Sequence, residues 1–96
     1  MNPEAMECVF AQIKAERANQ IAKWGDGQYL TPMEYLSILG EEYGEVCRAV
    51  HDAYFAAQYP HIDATPGDYS QYKTELIQLA TVCVAAIGNL DKIKQA

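Results

Sequence analysis

Three carboxylates lie within five residues near the middle of the chain, at Glu41, Glu42 and Glu45. At about 100° per residue, a helix places Glu42 and Glu45 on one face and Glu41 close beside Glu45. That face also carries apolar residues, Val46 among them, so the carboxylates should point toward packed neighbours rather than open water. Carboxylates placed in this way repel each other and lose hydration, which is costly unless a cation or hydrogen-bond donors compensate. A bound hard metal ion is the simplest compensation.

A second polar pair, Glu75 and Gln78, lies one helical turn apart among apolar residues later in the chain. If the two helices pack antiparallel, Glu75 joins the earlier glutamates around one centre. Carboxylate oxygens select Mg²⁺ or Mn²⁺ over zinc. A di-iron carboxylate site is disfavoured, because it needs Glu-x-x-His on two helices; here His51 follows Arg48 at that spacing, and His61 is expected in a loop.

The spacing of apolar residues predicts three main helices in a single all-α domain over residues 1–96. The first helix is expected over residues 4–24, and Gly25 ends it. The third is expected to begin after Asp68 as N-cap, with Gln71 as its capping-box partner. Its apolar residues alternate three and four apart, in a coiled-coil-like seam of about three heptads. No β-type alternation reaches a useful length, so no strand is expected.

The second helix has the clearest start of the three. Thr31 is the expected N-cap, Pro32 takes the first helical position, and Glu34 completes a capping box. Helical apolar periodicity then continues to Tyr59-Pro60, which predicts a helix of about 27 residues.

The apolar faces of these helices are wide for one small chain. Hydrophobic residues make up 50% of the 96 residues, yet a lone domain of this size is only modestly stable. Part of the core is therefore expected to come from another subunit. Gly40 and Gly44 each weaken the second helix by about 1 kcal/mol relative to alanine, so close approach of another helix should compensate. Cys47 and Cys83 lie in apolar runs and are expected as small core residues rather than in a disulfide or zinc site.

Charge and segment composition argue against several classes of protein. The net charge of −6 disfavours binding to nucleic acid polymers, because proteins of that class cluster Lys and Arg. A small anionic substrate stays compatible with this charge if metal ions mediate the contact. The N-terminal residues lack the basic and apolar regions of a signal peptide, and no apolar run approaches the length of a membrane span. A cytoplasmic location is the default expectation.

The motif Glu41-Glu42-x-x-Glu45 followed by Glu75-x-x-Gln78 resembles the EExxE…ExxD signature of the all-α nucleoside triphosphate pyrophosphohydrolases, the MazG-like family. Segments around it resemble small members of that family as well. They are Glu16-Arg17, Lys23-Trp24-Gly25, Thr31-Pro32-x-Glu34-Tyr35-Leu36, Ile38-Leu39-Gly40-Glu41-Glu42 and Tyr72-Lys73-Thr74-Glu75-Leu76-Ile77-Gln78. EExxE alone occurs in many acidic helices, but the ordered match from about Glu16 to Asp91 is more specific.

That resemblance implies a fold, a reaction and a metal. The fold is a helical bundle assembled from two subunits, often paired again into a tetramer, so a homodimer or homotetramer is expected. The reaction is the Mg²⁺-dependent cleavage of a nucleoside triphosphate into the monophosphate and pyrophosphate, with Mn²⁺ as a substitute ion.

The resemblance also implies roles for individual residues. Glu42 and Glu45 match the first pair of metal ligands, and Glu75 matches the first member of the second pair. Glu41 matches the leading acid, to which orientation of the attacking water is assigned. Gln78 stands where the family has Asp, so a neutral carbonyl replaces an anionic ligand there and the site loses one negative charge.

Substrate contacts are expected at the mouth of the bundle. The candidates are Lys23, Lys73, Arg17 and Arg48 for phosphates, Trp24 and Tyr72 for a base, and Asn89 for a sugar or base. For each of them a structural role is at least as well supported: a solvated cation, a core aromatic ring or an amide between packed helices.

These observations favour a Mg²⁺-dependent nucleotide pyrophosphohydrolase. The alternative is a non-catalytic MazG-like oligomer, either nucleotide-binding or purely structural, in which Gln78 is the trace of lost chemistry. A purely structural module would carry its acids on the surface, and Mg²⁺ would then leave its melting temperature unchanged.

Overall fold

Three long helices make up the described part of the chain. The computed structural model describes residues 1–26 and 29–95. Helix α1 covers Pro3–Trp24, α2 covers Pro32–Phe55 and α3 covers Ser70–Gln95, and no strand occurs among these residues. The all-helical fold class predicted from the sequence is confirmed.

Side-chain caps fix the start of α2 as predicted. The Glu34 backbone N–H donates to the Thr31 hydroxyl at 3.2 Å, and the Thr31 backbone N–H donates to the Glu34 carboxylate at 3.0 Å. Pro32 lacks an N–H and takes the first helical position, where none is needed. Both bonds of the capping box are therefore present.

Helix α2 ends at Phe55 and has 24 residues, about three fewer than expected. The following loop folds back, and the N–H of Gly67 donates to the carbonyl of Ala53 at 3.0 Å. That bond occupies a carbonyl that a continuing helix would need for its own next turn. Gly67 has a φ of 74°, which suits a residue without a Cβ.

Helix α3 begins slightly later than predicted. The Asp68 carboxylate accepts a hydrogen bond from the Ser70 N–H at 3.0 Å, and the first helical bond runs from the Lys73 N–H to the Tyr69 carbonyl at 3.0 Å. Tyr69 therefore takes the cap position, and the predicted Asp68 cap lies one residue too early. The Gln71 side chain bonds to Glu75 on its own helix.

Helix α3 lies between the other two helices and packs against both. Its C-terminal half lies beside the start of α2, where the Asn89 amide donates to the Leu30 carbonyl. Its N-terminal end lies beside the end of α2, next to the bond from Gly67 to Ala53. Helices α2 and α3 therefore run antiparallel, and the space between α1 and α2 forms a cleft whose floor is α3.

The hydrophobic core of the single chain is small. Val46, Ala53 and Val82 are its buried apolar residues in the described part, and α1 contributes no buried residue. Cys47 and Cys83 are both exposed with free thiols, so the prediction that they fill the core is wrong for the single chain. The contacts within one chain therefore leave part of the apolar helix faces exposed.

None of the helices, over the residues described, combines the length and apolar character that crossing a membrane requires.

Candidate functional site

The antiparallel packing of α2 and α3 brings three glutamates together. One carboxylate oxygen each from Glu42, Glu45 and Glu75 lies within 4.8 Å of the others. Glu42 and Glu45 share a face because they lie three residues apart on α2, and Glu75 faces them from α3; Glu45 is the exposed member of the three. No second group of three such side chains occurs in the part of the chain that the structure describes. We call these three residues the acidic cluster.

Two oxygens of the acidic cluster are buried without a hydrogen-bond partner. Glu75 is only 9% exposed, and its Oε1 accepts a hydrogen bond from the Gln71 amide at 2.7 Å. Its Oε2 and the Oε2 of Glu42 are buried and unpartnered among the described residues. A buried acceptor without a donor costs about 1–3 kcal/mol, and more when it is charged. The cluster is therefore unfavourable unless protons or a cation neutralise it.

The pKa values of Glu42 and Glu45 reflect burial and repulsion within the cluster. Burial raises the pKa of Glu42 above its ordinary value, and repulsion by neighbouring carboxylates raises it further. Those neighbours are Glu45, Glu75, Glu41 and Glu16. The pKa of Glu45 is raised by its hydrogen bond with the Glu75 carboxyl group and by their mutual repulsion. Glu42 and Glu45 therefore retain protons more strongly than free carboxylates, which is expected of acids that lie close together.

The other predicted members of the site lie at its edges. Glu41 is exposed on α2, and its charge acts on Glu42. Gln78 is half-buried one turn after Glu75 on α3. Glu16 of α1 is half-buried and also acts on Glu42. Sequence analysis placed Glu16 only within a family motif and gave it no role at the site.

A cleft of about 510 Å³ adjoins the acidic cluster, and Glu42 forms part of its wall. Helix α1 contributes Arg17, Gln20 and Trp24, and α2 contributes Tyr35 and Ile38 to the lining. The remaining lining residues are Gly25, Asp26, Leu30, Val82, Val84, Ala85, Gly88, Asn89 and Lys92. The lining thus contains apolar side chains, the carboxylate of Glu42 and a group of charged side chains.

Those charged side chains are two cations and one shared acid. The Arg17 guanidinium donates to Oδ1 of Asp26 at 3.2 Å. The Lys92 ammonium lies 3.4 Å from the same oxygen and donates to the Asp26 backbone carbonyl at 2.6 Å. Asp26 therefore links the C-terminal ends of α1 and α3 across the cleft. We call Arg17 and Lys92 the cation pair.

Asn89 lines the cleft and is 4% exposed. Its amide nitrogen donates to the Leu30 carbonyl, which fixes the orientation of the side chain because a carbonyl accepts only from a donor. Its Oδ1 is buried and has no partner among the described residues. Asn89 therefore has the packing role that was predicted for it. Its Oδ1 remains an acceptor beside the cleft with no partner among the described residues.

The remaining predicted substrate contacts divide into two groups. Trp24 lines the cleft and is 68% exposed. Lys23 and Lys73 are exposed, and neither lines the cleft. Tyr72 packs edge-on against Tyr69 with ring centroids 6.2 Å apart and lies outside the cleft as well.

Lys92 and Asp26 were not predicted from the sequence to be site residues. A signal for Lys92 was present, because it follows Asn89 by three residues and so shares its helical face. Asp26 gave no comparable signal, since it follows the end of α1 and its position depends on how the chain leaves the helix. Arg17 was one of four cations proposed for phosphates, and it is the one that lines the cleft.

Comparisons of the chain with protein-family models, with curated proteins and with solved structures find no match.

Proposed function

We propose that the protein is a Mg²⁺-dependent nucleotide pyrophosphohydrolase that cleaves a nucleoside triphosphate into the monophosphate and pyrophosphate. The observation that carries the proposal is the convergence of Glu42, Glu45 and Glu75 from two helices, with two buried oxygens that have no hydrogen-bond partner among the described residues. Glu42 also forms part of the wall of a ligand-sized cleft. The resemblance of the EExxE and ExxQ segments to the MazG-like family favours the same reaction.

The donor set suits a hard divalent cation. All three groups offer carboxylate oxygens, which favour Mg²⁺ and Mn²⁺, and none offers sulfur or imidazole. Glu42, Glu45 and Glu75 would hold the ion, and the buried Oε2 atoms of Glu42 and Glu75, which have no hydrogen-bond partner among the described residues, would be among its ligands. When bound, such an ion neutralises charge on phosphate oxygens and lowers the pKa of water.

The chain itself would position the substrate and the water. Glu42 belongs both to the acidic cluster and to the cleft, so the phosphates of a nucleotide bound in the cleft can reach the cluster. The apolar floor and the exposed ring of Trp24 offer a surface for a base. The exposed carboxylate of Glu41 accepts a hydrogen bond from the attacking water in this proposal. Positioning and charge neutralisation are most of what phosphoryl transfer requires from a protein.

One observation favours a second function, a non-catalytic protein that retains the same cleft. Gln78 provides a neutral carbonyl where the MazG-like signature has Asp. The four metal-ligand positions of that signature therefore carry three negative charges in this chain rather than four. A cluster with less charge binds Mg²⁺ more weakly, and nucleotide binding without turnover would result.

A nucleotide panel tests the proposed reaction. Wild-type protein and the Gln78→Asp variant are incubated with ribo- and deoxyribonucleoside triphosphates and either Mg²⁺ or Mn²⁺, and monophosphate and pyrophosphate are quantified. We expect stoichiometric release of both products from the wild type, abolished by EDTA. A large gain in turnover only in Gln78→Asp would favour the non-catalytic function. Silence from both proteins at high concentration would contradict the proposed reaction.

We further propose that a second copy of the chain covers the outer face of α2, completing a MazG-like bundle as a homodimer or homotetramer. The outer face consists of Leu36, Gly40, Tyr43, Cys47 and Tyr54, spaced as one helical stripe. Leu36 is 60% exposed, Tyr43 62% and Tyr54 65%. A Cβ at Gly40 would meet nothing within 4 Å among the described residues, so the close helix approach expected there does not occur within the chain. Contact with a second copy explains why glycine is used.

The Gly40→Ala substitution tests this interface. In the isolated chain, alanine should raise stability by about 0.5–1 kcal/mol, because the site is open and glycine disfavours helix. In the assembled protein, the added methyl group should push the partner away and weaken association. Sedimentation velocity over a concentration series and thermal melts measure both effects. Gly88→Ala on α3 is the matched control, and equal association in wild type and Gly40→Ala would exclude packing at this glycine.

A further inference from the structure

The cations that line the cleft are both engaged by a single acid of the same chain. The Arg17 guanidinium lies 3.2 Å from Oδ1 of Asp26, and the Lys92 ammonium lies 3.4 Å from the same oxygen. Two cations from different helices converge on one carboxylate oxygen beside a cleft of about 510 Å³. Such an arrangement is the geometry of an anion-binding site whose present anion is a side chain.

We propose that the cation pair, Arg17 and Lys92, is a binding site for a phosphate group of a ligand, and that the Asp26 carboxylate occupies this site until the ligand displaces it. The site lies in the same cleft as Glu42 and has the opposite charge. It would take a terminal phosphate or pyrophosphate-type group without any metal ion.

The exchange is favourable because the internal pair is weak. The Asp26 side chain is 59% exposed, and those of Arg17 and Lys92 are 24% and 38% exposed. Ion pairs with this degree of exposure contribute little to stability. A phosphate dianion carries more charge than a carboxylate and offers three acceptor oxygens, so it forms more charge-assisted bonds with the same donors.

The backbone keeps the site assembled when the carboxylate leaves. Lys92 donates to the Asp26 backbone carbonyl at 2.6 Å, a bond that does not depend on the carboxylate. An ammonium group has three donors, so the remaining ones can turn to the ligand. The guanidinium of Arg17 has five N–H groups and can present two of them to a phosphate side by side. Displacement therefore needs a side-chain rotation of Asp26 rather than a movement of helices.

Metal-free binding of phosphates tests the proposal separately from hydrolysis. In EDTA, the affinities of inorganic pyrophosphate and of a nucleoside monophosphate are measured by calorimetry for wild type and Asp26→Asn. We expect Asp26→Asn to bind at least one of them about two- to fivefold more tightly, because the competing charge is removed. The probe that gains more identifies whether the site takes free pyrophosphate or the phosphate of a nucleotide. Asp63→Asn, an exposed loop acid outside the cleft, makes the same change in net charge and should leave both affinities unchanged.

The converse substitution is Lys92→Gln, for which about tenfold weaker binding of the same probe is expected. Lys14→Gln, on an exposed part of α1, is its matched control, and Lys92→Arg should retain most of the affinity. Circular dichroism melts establish that each variant folds. Equal affinities in wild type, Asp26→Asn and Lys92→Gln would overturn the proposal, and so would an Asp63→Asn gain as large as that of Asp26→Asn. Neither result would bear on Mg²⁺-dependent hydrolysis, which depends on the acidic cluster.

Discussion

Replacing Glu75 by glutamine is expected to remove the stabilisation by Mg²⁺ and to lower Mg²⁺-dependent nucleotide hydrolysis about 100-fold or more. Glu75 is the most buried carboxylate of the acidic cluster, and it is the member supplied by α3. Glutamine keeps the shape of the side chain and still offers one oxygen, but it removes the charge that binds the ion. An ion that binds the folded cluster and not the unfolded chain, as proposed for the wild type, should raise the melting temperature.

Thermal melts with EDTA and with increasing Mg²⁺, run beside initial rates of pyrophosphate release, measure this effect. Glu7→Gln is the matched control, because Glu7 is exposed on α1 and distant in sequence from the cluster. Glu41→Gln should lower the rate while the effect of Mg²⁺ on the melting temperature persists, since Glu41 lies outside the acidic cluster. A wild-type response to Mg²⁺ in Glu75→Gln would show that the ion does not bind at the acidic cluster.

The acidic cluster could be predicted from the sequence because two simple rules place its members. Helical periodicity puts Glu42 and Glu45 on one face, and antiparallel packing of consecutive long helices puts Glu75 opposite them. The contact of the cation pair with Asp26 depends instead on the path of the chain after Gly25. The position of Asp26 there is set by its tertiary contact with Lys92. No helical spacing rule predicts the position of Asp26, because Asp26 lies beyond the end of α1.

Burial was less predictable than helix position. Periodicity identifies which residues share a helical face, and the apolar residues of α3 have the three-and-four spacing of one such face. It does not say whether a neighbour covers that face, and Leu76, Cys83 and Leu90 are exposed in the single chain. The end of α2 was missed for a related reason, since it depends on the loop that returns to the Ala53 carbonyl.

Metal-free protein should be stabilised by the Glu42→Gln substitution, and the gain should increase with pH. Burial and neighbouring carboxylates raise the pKa of Glu42 above its ordinary value near 4.5. The folded state therefore binds this proton more tightly than the unfolded state does. The ionisation penalty is absent below the ordinary pKa, develops as pH rises through the folded-state pKa, and is complete above it. Glutamine stays neutral throughout and avoids the penalty.

Melting temperatures in EDTA at pH 4, 6 and 8 measure this difference. Wild type and Glu42→Gln should melt together at the lowest pH, and the variant should melt several degrees higher at pH 8, since about 1 kcal/mol shifts the midpoint of a domain of this size by several degrees. Glu34→Gln is a control of opposite sign on the same helix. The hydrogen bond from the Thr31 backbone N–H lowers the pKa of Glu34, so its carboxylate stabilises the fold above its ordinary pKa and that contribution is lost as pH falls.

Adding Mg²⁺ at pH 8 should reverse the order of wild type and Glu42→Gln. The repulsion that destabilises the metal-free cluster is the interaction that a divalent cation converts into binding energy, so the wild type gains more from the ion than the variant does. Two results would contradict this account: a variant less stable than wild type in EDTA at pH 8, or equal responses of both proteins to Mg²⁺. The first would mean that the Glu42 carboxylate is already compensated without an ion. The second would mean that binding of Mg²⁺ does not require the Glu42 carboxylate.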